Sequence, residues 1–112
     1  MHWHKIPEQA FAEIVDLSRQ TPVFLFKHSP RCSISTAAMA RIERQWQSGR
    51  EAPVPYLVDV INERHLSNEI AGSLDIRHES PQALLLRNGR CIYHASHLDI
   101  RYSELMDALS EN

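Results

Sequence analysis

Two cysteines in 112 residues are too few for a disulfide framework, and a chain of this length buries a core without one. Nowhere do about 18 apolar residues run together, which excludes a membrane-spanning helix. Charge of one sign is also missing. A formal net charge of −2 gives no basic field to gather nucleic acid, and no basic stripe is interleaved with aromatics. The segment Met1–Pro7 lacks the apolar stretch of a secretory leader, which sets the expectation of a cytoplasmic protein whose thiols stay reduced. Repeats, low-complexity tracts and linkers are absent, so residues 1–112 are expected to form a single domain. The seven histidines are gathered by neither a Cys-x-x-Cys pair nor a His-x-x-x-His motif, and no metal site is expected.

What is present converges on Lys27-His28-Ser29-Pro30-Arg31-Cys32-Ser33-Ile34-Ser35. The apolar run Val23–Phe26 stops just before this stretch, and a helix-like stretch beginning near Thr36 follows it. Cys32 is thus expected where a buried strand hands over to a helix. The unpaired N–H groups and partial positive charge of a helix start favour a thiolate over a thiol, and Lys27, His28 and Arg31 push the same way. The alternative is a small buried hydrophobe, a common fate of free cysteine.

The periodicities give the order α-β-α-β-α-β-β-α. A first helix is expected over residues 7–20, with Phe11, Ile14, Val15 and Ser18 on one stripe. Val23–Phe26 follows as a central strand, and a helix over 33–47 is capped by Ser33 or Ser35 and stopped by Gly49. A strand over 56–61 leads to a third helix, capped by Asn62 and running to about Ser73. Strands over 82–87 and 90–95 flank Asn88-Gly89, a strong hairpin signal, and a last helix opens at Asp99 or Ser103. Two strand–helix–strand crossovers predict parallel pairing, with helices on both faces of a mixed four-stranded sheet and one antiparallel strand added by the hairpin. This is an α/β arrangement with the thioredoxin-like topology.

In that topology a cysteine at this corner attacks disulfides. The spacing here is Cys32-Ser33-Ile34-Ser35, which puts Ser35 where a resolving cysteine would stand. Cys32 can attack a disulfide, but serine cannot close a second one, so the reaction halts at a mixed disulfide until another thiol arrives. That suits removal of a small thiol cap from an S-thiolated protein. Ser35 is expected to donate a hydrogen bond to the thiolate, or else to serve as an ordinary helix-start serine. His28 and Arg31 are expected beside the bound substrate. Ser80-Pro81 precedes the third strand, where this topology places a cis-proline against the active cysteine and backbone able to pair with an extended substrate; the alternative is a trans proline opening a strand. Cys91 is expected to be a packed core thiol remote from Cys32; the alternative is a thiol that resolves Cys32. His78-Glu79 borders the site and either tunes a proton affinity or shapes the loop.

Lys27-His28-Ser29, Cys32, Ile34-Ser35, Tyr56-Leu57-Val58-Asp59-Val60, Arg64-His65-Leu66-Ser67-Asn68, His78-Glu79-Ser80-Pro81-Gln82 and Ala95-Ser96-His97-Leu98-Asp99-Ile100 together resemble the monothiol bacilliredoxins, the YtxJ-like general stress proteins. The resemblance implies a thioredoxin-like fold and reduction of proteins S-thiolated by bacillithiol. It maps the family's active cysteine onto Cys32. No bound cofactor is expected; bacillithiol or a similar low-molecular-weight thiol is the co-substrate, and S-thiolated proteins are the partners. The family motif reads Cys-Pro-Ile-Ser, and this chain has Ser33 where the proline would stand, adding an N–H and a hydroxyl. Two other readings compete: a thioredoxin-fold binding module in which Cys32 is incidental, and a redox sensor capped without turnover. The sequence carries no signal for oligomeric state.

Overall fold

The computed structural model describes residues 1–111. Its elements are α1 (Phe11–Leu17), β1 (Val23–His28), α2 (Ser33–Gln45), β2 (Val54–Asp59), α3 (Arg64–Leu74), β3 (Gln82–Arg87), β4 (Arg90–Ser96), a 3₁₀ turn (His97–Asp99) and α4 (Tyr102–Glu111). The strands form one sheet in the order β2-β1-β3-β4. Among the described residues no helix is long and apolar enough to cross a membrane.

β1 is central, and its side chains alternate between two cores. Val23 and Leu25 join Phe11, Ile14, Val58, Ile70, Leu84 and Leu86 on the α1/α3 face. Phe24 and Phe26 join Ala38, Ile42, Ala83, Leu85, Tyr102 and Leu105 on the α2/α4 face. The strand period of two produces this division, and it sends Lys27 into the first core and His28 toward the second.

β1 and β2 are parallel, as one crossover requires, but β3 runs antiparallel to β1, with Lys27 opposite Gln82 and Val23 opposite Leu86. The expectation of a second parallel pairing is therefore corrected. The physical reason lies in residues 75–81. Asp75 ends α3 in the left-handed conformation, at φ 54°, and the chain then doubles back beside the helix, so that His78 meets Ser67. This return leg delivers Ser80-Pro81 to the end of the sheet where α3 began.

Several boundaries also shift. α1 is only Phe11–Leu17. The strand expected from Tyr56 starts at Val54 and takes in Pro55, whose missing N–H is tolerated on this outer strand. Along that edge His4 accepts the Leu57 N–H at 2.9 Å and donates its own N–H to the Pro55 carbonyl at 2.9 Å. α2 ends before Gly49 because Trp46 leaves the helix, its ring lying 5.6 Å from Phe24 and 5.8 Å from Tyr102. Asn62 does not cap α3; its side chain donates to the Asp59 carboxylate at 2.8 Å, and Glu63 takes the N-cap position. The β3–β4 hairpin turns on Asn88 and Gly89, both at positive φ (57° and 81°), as the Asn-Gly signal demands.

Candidate active site

Cys32, rather than Ser33 or Ser35, is the N-cap of α2, with extended backbone at φ −110° and ψ 120°. Its N–H donates to Ser29 O at 3.1 Å and its carbonyl accepts from Thr36 N at 3.0 Å. The half-buried thiol thus occupies the place from which a serine or aspartate oxygen would accept first-turn N–H groups.

Ser35 is fully buried one turn into α2. Its Oγ accepts the Ser29 N–H at 3.0 Å and lies 2.7 Å from His28 Nδ1. In this arrangement the hydroxyl is engaged with His28 and the preceding loop rather than with the sulfur. Burial, the largest influence, holds the His28 imidazole below its ordinary proton affinity; Asp59 and Glu43 pull the other way and Lys5 adds to the lowering. Arg31 is exposed beside Cys32 and forms no ion pair among the described residues.

Ser80-Pro81 is a cis peptide at the start of β3, and the Pro81 carbonyl accepts His97 N–H at 2.9 Å. Because β1 ends where β3 begins, Pro81 and Cys32 come to the same end of the sheet. Ile34 and Leu98, both exposed, sit on α2 and on the turn after β4 at that end. Cys91 is placed otherwise. It pairs with Leu86, which pairs with Val23, at the opposite end of β1. The run from Val23 to His28 alone separates the two thiols by about 16 Å, far beyond disulfide reach. Burial pushes the Cys91 thiol up to about 11, and its Sγ donates to Tyr93 O at 3.2 Å.

One group escapes a reading that treats the basic residues before Cys32 as a set. Lys27 is completely buried, facing α3 across the sheet from α2. Its Nζ donates to Ser67 O at 3.1 Å and to His78 Nδ1 at 3.1 Å, and among the described residues no carboxylate pairs with it. Desolvation lowers it from 10.5 to about 8. Beside it Gln82 donates to Arg77 O at 3.0 Å, while Gln82 Oε1 and Ser80 Oγ are buried without partners among the described residues. The signal was available: Lys27 shares the strand parity of Val23 and Leu25, and that parity commits it to a core. A concavity of about 680 Å³ between the Ile6–Gln9 segment and α3 includes neither Cys32 nor Pro81.

The family model described as monothiol bacilliredoxin BrxC matches residues 6–105. A solved structure described as a candidate oxidoreductase with a thioredoxin fold is 32% identical, with a TM-score of 0.74, covering 93% of this chain and 90% of that one. Thioredoxin f from spinach chloroplast is 15% identical at a TM-score of 0.67 over 96% of this chain and 89% of its own. The thioredoxin of Malassezia sympodialis is 14% identical at 0.73, over 98% and 90%. These last two are similar in fold alone.

Proposed function

This chain belongs to the monothiol bacilliredoxin family, with a thiol redox function on a thioredoxin-like fold, and from that premise we propose that Cys32 removes low-molecular-weight thiols from S-thiolated proteins. The Cys32 thiolate attacks the cap's sulfur in a client–S–S–cap disulfide. A disulfide bond forms between Cys32 and the cap, the S–S bond between the cap and the client's sulfur breaks, and the client leaves as a thiolate carrying the electron pair. A second small thiol then attacks the cap's sulfur, restoring the Cys32 thiolate and carrying the cap off as a disulfide.

The observation that carries this reading is the separation of the thiols: Cys32 sits at the N-cap of α2, Ser35 fills the place of a resolving cysteine, and Cys91 lies partly buried at the far end of the sheet. Such a protein has no internal route past the mixed disulfide. Bacillithiol, or a thiol of similar size, is the cap proposed. Arg31 is suited to its anionic groups, and Ser80-Pro81 to the client backbone.

The test uses a client protein carrying bacillithiol on one cysteine, with a glutathione-capped client in parallel. Release of the client thiol together with a cap-sized mass on Cys32 is expected. Cys32→Ser should abolish release. Capping of Cys32 with no client thiol freed would replace this reading with the sensor, and unchanged function of Cys32→Ser would replace it with the binding module.

A further inference from the structure

Ser35 Oγ is enclosed and has one proton to give. The Ser29 N–H, 3.0 Å away, occupies one of its acceptor sites, and His28 Nδ1 lies at 2.7 Å. Two directions of the Ser35–His28 hydrogen bond fit these contacts. With Nδ1 unprotonated, the Ser35 O–H donates to it, and nothing remains for another acceptor. With a proton on Nδ1, which one neutral tautomer carries and the imidazolium always carries, Nδ1–H donates to Ser35, and the hydroxyl proton turns elsewhere. Cys32 is the N-cap and Ser35 the third residue of α2, so both belong to the first turn of the helix.

We infer that His28 is a positioning residue for the thiol chemistry: acting through Ser35, its protonation turns the hydroxyl away from the imidazole and toward the sulfur of Cys32. The inference rests on Cys32 as the reacting thiol and deepens that reading by naming the group that regulates it. No covalent bond to sulfur changes, and the proton on the imidazole comes from solvent.

The surroundings keep the two states close. His28 packs against Phe26, ring centroids 6.3 Å apart, and burial favours the neutral ring. Asp59 on β2 and Glu43 on α2 favour the imidazolium, while Lys5 in the N-terminal segment opposes it. A thiolate on Cys32 is a further negative charge at this corner. The coupling is reciprocal: the imidazolium favours the thiolate by the same factor as the thiolate favours the imidazolium. Once the sulfur is consumed in a mixed disulfide, that charge is gone and the hydroxyl returns to His28.

The experiment follows Cys32 alkylation by iodoacetamide against pH, in a Cys91→Ser background, for the parent, His28→Asn, Ser35→Ala and the double variant. Asparagine accepts from Ser35 as the neutral ring does, but takes up no proton. His28→Asn and Ser35→Ala are each expected to raise the alkylation midpoint by about one pH unit, a roughly tenfold loss of thiolate at fixed lower pH, and the double variant no further. A midpoint unmoved by His28→Asn, or shifts that add, overturns the inference. NMR titration of His28 in the parent and in Cys32→Ser supplies a second measurement that spares His28. A lower midpoint in Cys32→Ser is expected, and equal midpoints overturn the coupling. Neither readout involves a client. Failure to release caps, with non-additive shifts intact, would refute the proposed reaction and leave this inference standing.

Discussion

Replacing Lys27 with methionine should stabilise the protein at neutral pH. The lysine is fully enclosed, and its ammonium has two hydrogen-bond acceptors but no ion-pair partner among the described residues. Its depression from 10.5 to about 8 measures how strongly the fold disfavours the charged form. That difference corresponds to about 3 kcal/mol, and the lost hydrogen bonds return about 1 kcal/mol, leaving a net gain of about 2 kcal/mol for Lys27→Met at pH 7. The pH dependence has a definite sign. Below pH 8 both folded and unfolded chains hold the proton, and the burial cost is fully present. Between 8 and 10.5 the unfolded chain still binds a proton that the native state has released, so stability from this group rises with pH. Cys91 and Tyr93, both raised by burial, contribute the opposite slope at alkaline pH, equally in parent and variant. Urea unfolding of both proteins from pH 7 to 10.5 therefore isolates Lys27 as the difference between two profiles. The advantage of Lys27→Met should shrink steadily across that range. A variant less stable than the parent at pH 7, or a constant difference across the range, would refute the claim that this lysine is buried at a cost.

Other outcomes follow from the same geometry. Cys91→Ser should retain most cap release in the client assay, because Cys91 lies at the opposite end of β1 from Cys32. Ser35→Cys places a second thiol at the third position of α2, and intact-mass analysis of the oxidised variant should show an intramolecular bond to Cys32; its absence would contradict the helix start described here. Gly89→Ala puts a side chain at φ 81°, where its Cβ also meets the Arg19 guanidinium at 2.6 Å. The guanidinium can swing aside and the backbone cannot, so thermal unfolding should report a loss of about 1 kcal/mol. Burial, then Lys27 and Arg64, lower the proton affinity of His78 below its usual 6.5. As pH falls through that value the unfolded chain takes up a proton that the native ring resists, so stability should decline, and less steeply in His78→Gln.

The corner carrying Cys32 was legible because only the short loop of residues 29–32 separates the strand signal from the helix signal there. The β3–β4 hairpin was legible because Asn88 and Gly89 both adopt the positive φ that their residue types favour. The direction of β3 was not, because the crossover rule assumes that a helix hands the chain directly to the next strand. Here residues 75–81 run back beside α3 first, held by the meeting of His78 with Ser67, a tertiary contact without local periodicity. Trp46 shows the same limit. Helical spacing continues past it, but the space between Phe24 and Tyr102 draws its ring out of the helix. Asn62 had the chemistry of a cap, yet Asp59 sits three residues earlier and holds its side chain.

The pairing of Lys27 with His28 shows what strand alternation does to function. Neighbours in sequence, they face opposite sides of β1, and each meets a partner that defines a different response to protons. Lys27 as an ammonium only donates, so His78 Nδ1 must accept, which fixes the His78 proton on Nε2. Protonating His78 would set two cations 3.1 Å apart and lose the acceptor that Lys27 uses. On the other face, protonating His28 places a cation beside Asp59 and Glu43 and frees the Ser35 hydroxyl. Acid therefore loosens the α3 side of the strand, while on the α2 side it supplies the hydrogen bond that a Cys32 thiolate can use. A single residue of β1 parity separates the buried lysine from the histidine proposed to tune the thiol, which is why the two can be tested by independent substitutions.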